Sequence, residues 1–159
     1  MSLTRSLIGL GVWIGMCFGA AFIGSVFTDP SVPTWYASLT KPSWTPPGWI
    51  FGPVWSALYL MMALAAWLVW RKGGLAGALI PITLFMVQLG LNITWSILFF
   101  GLHMPGLAFG EIIVLWFAIL ATLLAFWRST AIAGYLLLPY LIWVAFAAVL
   151  NFELWQLNT

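Results

Sequence analysis

Three stretches of this 159-residue chain set amide and aromatic side chains on a shared face. Gln88, Asn92, Trp95 and Phe99 recur at helical spacing, so on a helix they form one stripe. Tyr140, Trp143, Ala147 and Asn151 do the same, and Trp55 and Tyr59 make a shorter version. Amides donate and accept, and flat rings offer apolar area. Together they suit a planar, mostly apolar ligand with a few polar atoms. The same residue types also act as hydrogen-bonded glue between packed helices, and the pattern alone is compatible with either use. Conventional catalysis has no foothold. His103 is the single histidine, beside Met104 in a short connection where it reads as solvent-facing, and Cys17 is alone in an apolar run. No metal site or disulfide framework is expected from them. With no nucleophile beside a base, no buried carboxylate pair and no glycine-rich phosphate loop, hydrolase and kinase chemistry is excluded.

The elements that must position these stripes follow from composition. The chain is 64% hydrophobic and only 5% charged. A soluble domain is about a quarter charged, so this set cannot build a water-facing surface. The class is all-α integral membrane, multi-pass, as a single domain over 1–159 with the lipid bilayer as its surroundings. Five basic residues are too few for a nucleic-acid footprint. A span needs about 20 apolar residues to cross a hydrocarbon core of ~30 Å. Five runs qualify, at about 6–27, 47–70, 78–100, 106–127 and 131–156. The first is too long for a typical secretory leader and reads as a retained span. Five spans put Arg5, Arg71, Lys72 and Arg128 on one side and Lys41 on the other. That bias places the N-terminus in the cytoplasm, with the inner membrane of a bacterium as the default location. Glu111, one turn into the fourth run, can snorkel outward.

The longest connection, from Thr28 to Pro46, lies on the outer side. Pro30, Pro33, Pro42, Pro46 and Pro47 stiffen it, and Trp35, Trp44 and Trp49 lie in or near it. It reads either as a lid over one end of the bundle or as an interfacial aromatic belt. Pro139, inside the fifth run, is expected to kink that helix beside Tyr140 and Trp143. Gly11, Gly15 and Gly19 form two overlapping GxxxG units, suited to a dimer contact or to a close contact within the chain.

Several motifs resemble one family. They are Trp35-Tyr36, Lys41-Pro42-Ser43-Trp44-Thr45-Pro46-Pro47, Gly52-Pro53-Val54-Trp55, Gln88-Leu89-Gly90-Leu91-Asn92 with Trp95, and Pro139-Tyr140-Leu141-Ile142-Trp143 through Ala147 to Asn151. Their order and spacing over nearly the whole chain resemble the translocator proteins, also called tryptophan-rich sensory proteins or peripheral-type benzodiazepine receptors (TspO/MBR). The resemblance implies a five-helix bundle, commonly dimeric, whose ligand cavity is closed by a lid loop between helices 1 and 2. It implies protoporphyrin IX or a related tetrapyrrole as ligand, with no resident cofactor, and sterols or isoquinoline and benzodiazepine drugs in some members. Carried over, the ligand-binding positions are Tyr36, Pro46 or its neighbours, Trp55, Asn92, Trp95, Trp143 and Ala147. Light-dependent porphyrin breakdown in some bacterial members implies a photoredox role for Trp55 and Trp143. One departure stands out. The sterol-recognition pattern of animal members needs Tyr and a basic residue where this chain has Phe152 and Gln156, which argues against sterol transport.

Overall fold

The computed structural model describes residues 2–159 and is a bundle of five membrane-length helices. In hydrocarbon no water is available to the backbone, so apolar runs of this length close their N–H and C=O groups into helices. Helix α1 spans Leu3–Ser31, α2 Phe51–Gly77, α3 Leu79–Ser96, α4 Pro105–Ser129 and α5 Ala131–Leu157. The Ser2 hydroxyl caps α1 by accepting from the Arg5 backbone N–H at 3.3 Å. At Gly74 the backbone turns to φ 64°, a left-handed conformation that glycine adopts without a Cβ clash, and the α2 helix breaks there. A single extended residue, Thr130, joins α4 to α5.

The largest departure from the expected spans is at the end of α1. Helix continues past Phe27 through Ser31 and widens into a π-helical turn over Val32–Tyr36. Pro30 and Pro33 do not stop it. The wide turn accommodates the missing donors, and Thr34 Oγ1 donates to the Pro30 carbonyl at 2.7 Å. The lid is therefore shorter than its sequence suggests, with its non-helical part confined to 39–47. A second π-helical turn, Ile97–Gly101, extends α3. Pro139 lies inside α5 without ending it.

Packing differs between the two ends. At the basic end, Trp67 Nε1 donates to the Ser6 carbonyl at 2.9 Å, Arg71 lies over the Trp67 ring, and the Lys72 ammonium donates to the Ser129 carbonyl. Ala63, Ala65 and Ala66 are fully buried there, and Phe85 stacks on Phe126. Close contacts within the chain use Gly9 against Trp70, Gly101 against Phe27 and Gly134 against Trp127. Gly11, Gly15 and Gly19 instead face outward, where an added methyl would meet open space. Both carboxylate oxygens of Glu111 are buried with no hydrogen-bond partner, so this side chain does not snorkel as expected.

A Cβ at Gly134 would stand 2.9 Å from Trp127 Cβ and 3.1 Å from its Cα, where backbone must move. Gly134→Ala should therefore lower the thermal stability of the detergent-solubilised protein by about 1–3 kcal/mol. Gly15→Ala should leave the melting temperature unchanged. Equal melting points for the two variants would show that the α4–α5 turn yields freely.

Candidate ligand-binding cavity

The lid end encloses a cavity of about 670 Å³. Its walls come from α1 and from α2, α3 and α5, the last three of which carry the predicted stripes. Phe51, Trp55 and Tyr59 follow one another along α2, and Trp55 packs at 5.8 Å from Tyr59. Trp143 and Ala147 come from α5, and Trp95 and Asn92 from α3. Tyr36, at the end of the π-helical turn, is buried against Phe51, Phe99 and Phe100 at centroid distances of 6.3, 6.4 and 5.8 Å. Of the predicted ligand-binding residues, Tyr36, Trp55, Asn92, Trp95, Trp143 and Ala147 line this one space. Pro46 does not. The extended backbone of Pro47 (ψ 142°) carries the chain past it, and the neighbours Gly48 and Trp49 reach the lining instead.

Glue and pocket prove to be parts of one arrangement. The Tyr59 hydroxyl donates to Asn92 Oδ1 at 2.8 Å, and Asn92 Nδ2 donates to the Tyr140 hydroxyl at 2.6 Å. The Tyr140 hydroxyl in turn donates to Gln88 Oε1 at 2.8 Å. This string joins α2, α3 and α5 at the inner limit of the cavity. Gln88 and Tyr140 are fully consumed behind the lining, whereas Asn92 both belongs to the string and borders the cavity. A second tie runs from Trp95 Nε1 to Asn151 Oδ1 at 3.0 Å, and from Asn151 Nδ2 to the Pro105 carbonyl at 2.8 Å. Two lining residues keep donors without partners, since the Tyr36 hydroxyl and Trp143 Nε1 are buried and unbonded. Unsatisfied buried donors are costly, and both atoms are covered by neighbouring groups in this arrangement of the cavity wall.

The lid is held at three points. Asn158 grips Thr40 with both ends of its amide, accepting from Thr40 N–H at 2.9 Å and donating to Thr40 C=O at 2.9 Å. Trp44 packs edge-on against Phe146 at 5.8 Å. Lys41 Nζ donates to the Ala37 and Leu39 carbonyls at 3.3 and 3.1 Å and lies 4.8 Å from the Tyr36 ring centroid. His103, exposed as expected, is nonetheless engaged. Its ring stacks on Trp35 at 4.3 Å, and Nε2 lies 3.3 Å from Ser31 Oγ.

The wall contributed by α1 went unpredicted. Phe18, Phe22, Ser25 and Asp29 all line the cavity. They recur at helical spacing, which is the signal that could have found them. Within an almost uniformly apolar run, however, two phenylalanines look like lipid-facing residues.

The sequence is similar to those of known proteins. The TspO/MBR family matches residues 13–156. The Tryptophan-rich protein TspO of Chlorobaculum tepidum is 41% identical over 160 residues, covering 98% of this chain and 99% of that protein. The Translocator protein of Homo sapiens is 41% identical over 139 residues, covering 86% of this chain and 82% of that protein. The Tryptophan-rich sensory protein of Cereibacter sphaeroides is 40% identical over 124 residues, covering 78% and 77%.

Asn92→Leu should strand the Tyr59 hydroxyl and lower thermal stability by about 0.6–2 kcal/mol, the range for hydrogen bonds between membrane helices. An unchanged melting point would mean that the string contributes nothing to folding. Asn158→Ala should release the lid locally. Amide hydrogen exchange at Thr40 should rise at least several-fold while global melting stays put, and unchanged protection would show that the other two contacts suffice.

Proposed function

The chain belongs to the TspO/MBR family, and from that premise we propose that it is a membrane receptor or carrier for a planar, largely apolar ligand of tetrapyrrole size. The observation that carries this reading is the aromatic cavity under the lid. Its volume falls in the range of about 300–1,000 Å³ typical of small-molecule sites. In this reading Trp55, Trp95 and Trp143 sandwich the ring system, Ala147 leaves room for it, and Tyr36 adds to the wall. Asn92 closes the inner end of the site, and Pro46 acts indirectly by setting the path of the lid. Relatives are named as translocator and sensory proteins, which fits a protein that hands on or reports its ligand. The bias of basic residues supports a cytoplasmic N-terminus, with the lid on the opposite side of an inner membrane. The outward glycine face of α1 is of the kind that brings helices close in a homodimer.

A second reading adds light-driven porphyrin breakdown. It is favoured by two readily oxidised indoles, Trp55 and Trp143, on the same lining but from different helices. Here they would serve as electron donors to a photoexcited macrocycle as well as walls.

Titration of the purified protein with protoporphyrin IX should quench its tryptophan fluorescence saturably, and a linear, non-saturating response would remove the tetrapyrrole reading. Trp55→Phe and Trp143→Phe should keep affinity within a few-fold, a change of about 1 kcal/mol or less, while porphyrin absorbance under illumination should decay far more slowly. Equal decay in the parent, both variants and an empty detergent micelle would leave a binding protein without the photochemistry.

A further inference from the structure

The polar groups of the cavity are unevenly distributed by charge and by hydrogen-bonding sense. Among the described residues, Asp29 is the one acidic or basic side chain on the lining. It stands exposed at the mouth, about half a turn from the lid end of α1. The two hydroxyls beside it on the same wall have already used their protons. Ser25 Oγ donates to the Phe22 carbonyl at 2.8 Å, and Thr28 Oγ1 donates to the Gly24 carbonyl at 3.0 Å. What they present to a ligand is lone pairs. The nearest basic residue along the chain, Lys41, is turned to the Ala37 and Leu39 carbonyls and the Tyr36 ring. His103 lies against Trp35 and Ser31. Helix ends do not reverse the balance. The short 3-10 turn Gly48–Ile50 that leads into α2 brings about half a positive charge to the mouth, and the C-terminal end of α1 brings about half a negative one. The formal charge of Asp29 is then left uncompensated.

We propose that Asp29, with the Ser25 and Thr28 oxygens, makes the mouth of this cavity selective for ligands whose polar edge is cationic or donates hydrogen bonds, and against ligands carrying carboxylates there. This rests on the cavity being the ligand site. It narrows the ligand class from planar apolar molecules in general to neutral or cationic ones, including tetrapyrroles with masked or protonated propionates. Because the carboxylate faces water, the discrimination is moderate and salt-sensitive. At a separation of about 5 Å in a water-like dielectric, swapping a ligand's positive charge for a negative one shifts affinity by a little more than about tenfold.

The test uses one ring system in three charge states. Anthracene carrying an aminomethyl, a hydroxymethyl or a carboxylate group at the same carbon is titrated into protein in zwitterionic nanodiscs, with tryptophan quenching as the readout. The amine should bind best and the carboxylate worst, by about tenfold between them at low salt, and the gap should narrow as salt rises. Asp29→Asn should shrink the gap to within about twofold, and Asp29→Glu should preserve it. The proposal is overturned if the three bind equally, if the carboxylate binds best, if the order survives in Asp29→Asn, or if none binds saturably. Failure of protoporphyrin IX dimethyl ester, which carries no carboxylate, to bind with the amine preference intact would sink the tetrapyrrole reading alone.

Discussion

Hydrocarbon offers no water to a polar group, and the string Tyr59–Asn92–Tyr140–Gln88 is how this bundle meets that condition at mid-depth. Each hydroxyl or amide in it has a neighbour to give its proton to, so three helices are held in one register. Gln88 Nε2 ends the string with only the Met62 sulfur, 3.8 Å away. Toward the basic end from this layer, fully buried alanines and Cys17 let helices pack closely. Toward the lid end, tryptophan and phenylalanine rings hold the helices further apart. The cavity is the space those rings leave, and the polar layer is its inner boundary.

The lid depends on the same economy of hydrogen bonds. Its first half is not a loop, because the π-helical turn at Val32–Tyr36 keeps the backbone internally bonded around two prolines. Tyr36 thereby becomes part of a rigid wall. Only the segment 39–47 spans the mouth freely, and there Asn158 supplies the pairing that a neighbouring strand would otherwise give. Lys41, the basic residue that the topology places on the lid side, is used to cap the carbonyls where helix gives way to loop. That use leaves the mouth with a net negative character centred on Asp29.

Much of this was legible in the sequence. Five spans, the class of the fold and the aromatic stripes follow from local period and hydropathy, and the family resemblance supplied seven cavity positions, six of which line the cavity. A helix repeats every 3.6 residues whatever surrounds it, so residues such as Asn92 and Trp95 share a face before any partner is known. Near Pro46 the motif says only that a turn occurs, while the backbone angles at Pro47 decide that Gly48 and Trp49, not Pro46, reach the lining.

The rest was decided only when helices met. Whether Asn92 served ligand or packing could not be read along α3, since the answer lay in two tyrosines contributed by α2 and α5. Phe18, Phe22 and Ser25 became a cavity wall because α1 presents that side to α2 and α3, although its composition would suit lipid equally well. The outward turn of Gly11, Gly15 and Gly19, and the burial of Glu111, are of the same kind. Amino-acid type sets what a side chain can bond to and how often it returns to a face, both of which are local. Which groups lie within 3 Å of it is a property of several helices at once, and no single stretch of chain contains that information.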